Sequence, residues 1–491
     1  MANAAQGAVY CLDPRTPART ILRVLSYTKR RFLSETGARC TGRRKVQKVR
    51  RQLFLLAAMV ARVMAQPDPS ELLPRVRERV LNTVDRLPRY LCTQTIDRSQ
   101  YEPDRVVYLK DCEDLELSRD TRWKLLRTTA DRLRLDVAVA AQREIYSWVG
   151  ENQFGNRSLL EIVNEGSIST GYFLGFLDLV FRSDNADFSY AGEVSEGGRK
   201  LMEYRYRVPL ETSHYVFGPR GRAVTTAYEG AVLADPETAD LVGLTVRTSH
   251  LPSETGACEA TTTMNYIRFR LHDSDLLLPS VTDLHIKNLN GVEMENRTVY
   301  SGCREFLGAS TLRFEAPPDT TAQKAAAPLA ETGIPGGLRF GLVLAKDIPV
   351  ATAAAGETVK AVLKSDLRDQ AKKVLAPKGT PVLCRILLIR RYYHGKDTGA
   401  LGMLVPLRRV ELLLRLENFA LPAGHRPVSA KLEMTAPGRP QRRPGTLQAR
   451  PRELGPLNAM GLNQWFERFD RVGDDYVIKS GLVSNWVTVT Q

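Results

Sequence analysis

The amino-acid sequence predicts a mainly β, α+β fold: a strongly curved antiparallel half-barrel plugged by helices, followed by a small C-terminal β-barrel. Three patterns carry that expectation. Between Asp187 and Phe314 eight strand-like runs succeed one another, with turn residues between them. Upstream, Leu133, Leu135, Val137 and Val139 alternate with Arg134, Asp136, Ala138 and Ala140, the period of a half-buried strand. A second strand then leads into helical segments, at 158–182, too apolar to face water on more than one side. Beyond a Pro- and Ala-rich stretch, a further set of strand runs begins at residue 338. A large curved sheet must be filled on its concave side, and the segments at 158–182 are the candidates with enough apolar surface.

Residues 1–66 form an N-terminal segment ahead of the two folded units. They hold 14 Lys and Arg against Asp13 and Glu35, which leaves 56 basic and 53 acidic residues downstream. The formal charge of +15 is therefore mostly N-terminal, and the body requires no phosphate-binding surface. Arg50 and Arg51, the apolar run Leu53–Ala61 and the small residues before Gln66 match a secretory signal, and the residues upstream are expected to be an over-extended reading frame, with translation expected to start near Val49. The run is too short for an ordinary membrane-spanning helix.

The next unit is 67–316. Leu72, Leu73, Val76, Val80, Leu81, Val84 and Leu87 follow the helical period, with Asp68 or Ser70 to cap and Pro74 near the first turn. Tyr90, Cys92, Gln94 and Ile96 share one face of a strand ended by Pro103. The acids Asp111, Glu113, Asp114 and Glu116 lack the glycine and ligand spacing of a calcium loop and read as a solvated loop. The segment Trp123–Thr129 is expected to pair with the strand at 133–139. Ser158 and Glu161 make a capping box, Gly166 breaks the first helix, and Ser169 or Thr170 caps a second. In that second helix Phe173, Phe176, Leu177, Val180 and Phe181 form a broad apolar face, which reads either as plain core or as a ligand wall. Gly197–Gly198, Gly218–Gly221 and Asn288–Gly291 mark hairpins in the meander that follows.

This order of helix, strands, mid-chain helices and a meander ending in LLLPSVTDLHIKNLNG, NRTVYSGCREF and STLRFE resembles the LolA/LolB/RseB superfamily of periplasmic lipoprotein-carrier folds over residues 70–316. The resemblance implies an unclosed barrel lined with apolar side chains, plugged by helices and holding acyl chains or another hydrophobic ligand. The five residues of the apolar face would then wall the cavity. The chain departs from the carriers in its extra cysteines and its length, and no residue matches a family functional position, so none is carried over.

Residues 317–337 are a linker by composition, and 338–435 form the small barrel. There GETVKAVL followed by APKGTPVLCRI resembles the β-barrel of TrbI-type secretion-channel components. Residues 436–459, rich in Pro and Arg, read as a second flexible linker, and 460–491 as a C-terminal β-hairpin returning to the small barrel.

Of seven cysteines, Cys11 and Cys40 fall in residues 1–66. Cys92, Cys112, Cys258 and Cys303 are the disulfide candidates, and Cys384 stands alone in the second barrel. Four cysteines allow three pairings, of which Cys92–Cys112 with Cys258–Cys303 is the simplest. No CxxC, GxSxG, HExxH, Walker A or GxGxxG occurs, and His214, His250, His272, His285, His394 and His425 are scattered singly. His272 with Asp273 and Asp275 reads as a polar turn. The run Arg390–Tyr393 reads as a strand edge with its stems packed and heads in water. The sequons at Asn156 and Asn296 are short enough to arise by chance.

The sequence therefore points to a non-enzymatic, periplasmic or secreted protein without cofactor, metal, nucleic-acid partner or integral membrane span. Its expected partners are a hydrophobic ligand or lipoprotein and a second envelope protein. The alternative is a structural or sensing module whose interior is packed shut and which acts through protein contacts.

Overall fold

The computed structural model describes residues 8–11, 68–305, 335–419, 430–432 and 463–489, except 87–88, 119–122, 141–142, 152–153, 156–157, 164, 183–185, 220, 250, 272–273 and 397–402. The signal-like run, the first predicted linker up to residue 334, the second predicted linker, His250, His272, His425 and Asn156 lie outside the described residues.

Helix α1, Pro69–Asp85, begins where the Asp68 carboxylate accepts the Ser70 N–H at 2.9 Å. Proline opens its first turn, and Leu72, Val76, Val80 and Val84 bury one stripe. Three strands follow: β1 (Tyr90–Pro103), β2 (Leu125–Ala140) and β3 (Arg143–Trp148). The remaining strands of the first unit are β4 (Asp187–Glu196), β5 (Arg199–Val208), β6 (Tyr228–Ala234), β7 (Leu241–Ser249), β8 (Ala257–Leu271), β9 (Ser274–Asn288) and β10 (Glu293–Glu305).

All are antiparallel, in the spatial order β4-β5-β6-β7-β8-β9-β10-β1-β2-β3. Strand β1 is first in the chain yet sits between β10 and β2, so the meander curls back onto its own beginning. Among the described residues no pairing joins β3 to β4, which leaves these two strands as the ends of this run. The hairpin signals are met: Glu196 faces Arg199 across Gly197–Gly198, and β9 turns into β10 around Asn288–Gly291.

The second unit contains β11 (Arg339–Leu344), β12 (Thr358–Leu363), β13 (Pro381–Lys396), β14 (Leu404–Asn418), β15 (Gln464–Asp470) and β16 (Val483–Thr488). Their order is β15-β14-β13-β12-β11-β16. Leu342, Leu363, Ile386, Leu412, Leu414 and Trp486 fill its interior. Among the described residues no helix is long and apolar enough to cross a membrane.

Several expectations change. Trp123–Thr129 is not a separate partner of 133–139. Leu125–Ala140 is one strand, because the fourteen-residue β1 offers partners along its whole length, from Tyr90 opposite Val139 to Pro103 opposite Leu125. The acidic cluster forms helix α2, Cys112–Ser118, whose first-turn acids suit the positive end of the helix and whose Asp111 carboxylate accepts the Asp114 N–H at 2.8 Å. The C-terminal strands do not pair with each other: Val477–Ile478 joins Ile348–Pro349, and β16 joins β11. A short strand, Ala8–Cys11, lies between Ile168–Ser169 and Val216–Pro219, so part of the first 66 residues enters a small sheet.

The cysteines pair across the fold. Cys92 joins Cys303 and Cys112 joins Cys258, while Cys384 is free and buried. The local pairing is excluded by topology. Closure of β1 onto β10 puts Cys92 beside the bulge between Ser301 and Arg304, and α2 packs on the start of β8 with Leu115 and Trp123 around its bridge.

Candidate functional site

The concave side of the first sheet is filled by residues 158–182. This plug contains little regular structure. Helix α3 is only Leu159–Ile162, helix α4 only Gly175–Leu177, and a π-turn completes it over Asp178–Arg182. Local signals work at its start, where the Ser158 N–H donates to the Glu161 carboxylate at 2.6 Å. They fail at the second helix, which Ser169 and Thr170 do not cap; its N-cap is Leu174, without a side-chain cap bond.

The cap comes from another strand. Glu144, the second residue of β3, accepts the N–H groups of Gly171 (2.9 Å), Phe173 (3.0 Å) and Leu174 (3.1 Å) on its two carboxylate oxygens. The Tyr146 hydroxyl donates to the same carboxylate. Burial pushes the Glu144 pKa up; the bonds from Tyr146 and the three amides hold it down only in part, and the net shift is upward. Gly171 supplies a left-handed φ of 91° just where the chain bends over this carboxylate.

A second ionic anchor holds the other end. Gly166 adopts a left-handed φ of 81°, and a Cβ there would stand 2.6 Å from the Arg98 guanidinium. Arg98 donates to the Glu165 carbonyl at 2.6 Å and to both oxygens of Asp131 at 2.6 and 2.8 Å. Arg390, from the second barrel, donates to Asp131 at 3.0 Å and to the Glu165 carboxylate at 2.7 Å. Burial opposes ionisation of Asp131, but the guanidiniums of Arg98 and Arg390 outweigh it and hold its pKa below the usual value. The head of Arg390 is thus enclosed rather than in water, with 15% of its side chain exposed. Beside this anchor Asn296 is buried and donates to the Ser167 carbonyl at 2.9 Å, which makes its sequon a packing feature.

Between the anchors, side chains of the wall satisfy the plug backbone. Tyr266 donates to the Tyr172 carbonyl at 2.9 Å, Tyr228 to the Leu179 carbonyl at 2.8 Å, and Arg77 of α1 to the Phe181 carbonyl at 2.7 Å. The structure brings Phe173, Phe176, Leu177, Val180 and Phe181 together, each at most 1% exposed, in one core with the inner faces of β2 and β5–β9. Phe173 lies 5.1 Å from the Tyr300 ring and 5.7 Å from Tyr90, and Phe176 lies 6.0 Å from Tyr215. Under this apolar plug the wall also holds polar atoms without a hydrogen-bond partner among the described residues: Tyr90 Oη, Gln94 Nε2 and Thr262 Oγ1.

The tyrosines, Glu144 and Arg98 were not singled out as site residues from sequence, although a signal existed. In RxIxSW the alternate positions Glu144, Tyr146 and Trp148 share a face carrying two large aromatics. Arg98 continues the inward series Cys92, Gln94, Ile96.

His285 pairs with Glu293 at 2.7 Å, and the ring of His394 meets the Arg127 carbonyl at 2.9 Å, so neither sits in the plugged interior. Among the described residues no group of three or more His, Cys, Asp or Glu side chains is placed to hold a metal ion.

No family model and no curated protein matches the chain. Among solved structures it is similar to a DUF1329 family protein from Desulfovibrio piger, with 11% identity over 50% of this chain and 98% of that one and a TM-score of 0.23. It is also similar to a LolA superfamily protein from Nitrosomonas europaea (9% identity, 47% of this chain, 93% of that one, TM-score 0.21) and to an outer membrane lipoprotein-sorting protein domain from Vibrio parahaemolyticus (8%, 48%, 92%, 0.21). At these TM-scores the likeness carries no argument, and the fold stands on its own strand pairings.

Proposed function

We propose that the chain is a non-enzymatic, secreted envelope protein that holds a hydrophobic ligand, a lipid or an acylated protein, against the concave face of its first sheet once the plug is displaced. The observation that supports this reading is how the plug is held. It is an apolar filling whose backbone is secured mainly by side chains of the wall, through Glu144, Arg98, Asn296, Tyr228 and Tyr266, with no long helix and only the two-residue pairing of Ile168–Ser169 to Ala8–Cys11. Such bonds can be exchanged for water as the segment lifts, without unfolding the sheet. The apolar area then exposed supplies affinity for an acyl chain, and the orphaned Tyr90, Gln94 and Thr262 atoms offer partners to a polar head group. The cross-fold disulfides fit an oxidising compartment.

A second reading rests on the complete burial of the five apolar plug residues: a structural or sensing module that works with its interior shut. One experiment separates the two. Native mass spectrometry after mild extraction, followed by titration of the stripped protein with a fluorescent fatty acid, is expected to show bound lipid and saturable binding with faster amide exchange over 165–182. A protein that carries no lipid, rejects the probe and keeps its exchange pattern is the shut module.

A further inference from the structure

Among the described residues the plug of the first unit is tied to the second barrel through the Arg390 bond to Glu165, and the tie sits where the two sheets meet. Strand β13 hydrogen-bonds to β2 over only three residue pairs, Arg390–Asp131, Arg391–Ala130 and Tyr392–Thr129. Next to them the second barrel docks a turn on the same edge: the Arg134 N–H donates to the Ala355 carbonyl at 2.7 Å, and the Ala355 N–H to the Arg132 carbonyl at 2.8 Å. Gly356 is needed for that approach, since a Cβ there would lie 2.1 Å from the Arg134 carbonyl oxygen. The join continues along both strands, from the Leu404 N–H on the Asp104 carbonyl through the His394 ring at the Arg127 carbonyl to Arg385 on the Val149 carbonyl, and Arg390 reaches from its middle into the first unit. Its guanidinium holds the Glu165 carboxylate of the plug while sharing Asp131 with Arg98, which holds the Glu165 carbonyl. Glu165 is therefore gripped twice, once by each unit.

We propose that the second barrel regulates the plug, with Arg390 as the positioning residue: a partner that shifts β13 on β2 releases residues 165–174, and displacement of the plug in turn loosens the β13–β2 join. Linkage makes the effect reciprocal. The geometry supplies the direction. Asp131 keeps Arg98 when Arg390 leaves, so the wall stays charge-paired, whereas the Glu165 carboxylate loses the cation that holds it down and turns to water, to which 58% of its side chain is already open. The inference rests on the plug being the moving part of the ligand reading, but its test needs no ligand.

Amide hydrogen exchange of the full chain is compared in wild type, Glu165→Gln and Arg390→Gln. Glu165→Gln removes only the outer grip and keeps the buried pairs, so it remains informative if Arg390→Gln fails to fold. The expected result is exchange about tenfold faster over 165–174 in both variants, with β14 and β8 unchanged. The reciprocal variant, Glu144→Ala, frees the far end of the plug and is expected to speed exchange at 390–392. Exchange over 165–174 within about twofold of wild type in folded Glu165→Gln, or acceleration spread evenly through both units, overturns the coupling. Failure of wild type to bind fatty acid while Glu165→Gln still opens the plug would overturn the ligand reading and leave the coupling standing.

Discussion

Removing the Glu144 carboxylate is the most direct perturbation of the site. Three backbone N–H groups, at Gly171, Phe173 and Leu174, converge on it within 3.1 Å. A hydrogen bond to a charged group contributes about 1.5–3 kcal/mol, so three of them amount to roughly 4–9 kcal/mol before costs. The carboxylate offsets part of that by its own desolvation, as its raised pKa shows, and water entering the space left by truncation satisfies some of the amides. We expect Glu144→Ala to cost about 3 kcal/mol, and Glu144→Gln, which keeps one acceptor and the volume, about 1 kcal/mol. Urea unfolding followed by far-UV circular dichroism measures both, and amide exchange at 171–174 localises the loss. A Glu144→Ala protein within about 0.5 kcal/mol of wild type, its 171–174 amides still protected, would refute the claim that this carboxylate holds the plug.

Further outcomes follow from the packing. Phe176→Ala empties a fully buried ring site and is expected to cost about 3–5 kcal/mol in the same urea assay. Phe176→Asp is expected to unfold the first unit rather than selectively abolish binding, because it would bury a charge in the aromatic cluster of Tyr172 and Tyr215; a folded Phe176→Asp protein in circular dichroism would contradict that packing. Gly166→Ala combines a left-handed φ with a Cβ pressed against Arg98 and is expected to cost about 1–2 kcal/mol by thermal denaturation. The bridges Cys92–Cys303 and Cys112–Cys258 close loops of 211 and 146 residues, so reduction of either removes up to about 5 kcal/mol, and of both less than the sum because one loop lies inside the other. Peptide mapping without reduction checks the connectivity, and a 92–112 peptide would refute it.

The curved sheet is legible in the sequence because its strands carry a period-two pattern and are separated by turn residues that demand left-handed backbone, as at Gly197 and Gly198. Its closure through β1 is not legible, since pairing of β1 with β10 depends on strands almost two hundred residues apart in sequence, which no local signal reports. The plug shows the same division. Ser158 and Glu161 cap as a local rule says, and Phe173, Phe176 and Leu177 face inward as an apolar stripe should. The helix expected around them shrinks to one turn, because an acceptor from β3 satisfies its first amides and wall tyrosines take its carbonyls, which removes the need for an internal hydrogen-bond ladder. Arg390 reads as a strand-edge cation until Asp131 and Glu165 are brought to it by the join between the two sheets.

The two anchors respond to pH with opposite sign. Asp131 has a folded pKa below its ordinary 3.8, so its contribution is complete above that value and is lost as pH falls through the lower, folded one. Glu144 has a folded pKa above its ordinary 4.5, so the folded state takes up the proton more readily than the unfolded chain. Its contribution to stability is complete below 4.5 and declines as pH rises through the folded pKa. The phenols facing it do not answer for it: Tyr172 is pushed up to about 12 and Tyr90, Tyr146, Tyr266 and Tyr300 well above the ordinary phenol value, chiefly by burial, so all stay neutral across that range. In urea midpoints measured from pH 3 to 8 the Glu144 contribution should therefore fall as pH rises above 4.5, together with that of Glu467, whose carboxyl burial also pushes up, and the slope should be shallower in Glu144→Gln than in wild type. Asp131→Asn should instead flatten the loss at the acid end, below 3.8. A Glu144→Gln profile parallel to wild type would mean the carboxylate is solvated in the folded state. The 171–174 end of the plug would then be held by packing alone, whereas the measured decline would make it the end under tension at neutral pH and the first to open.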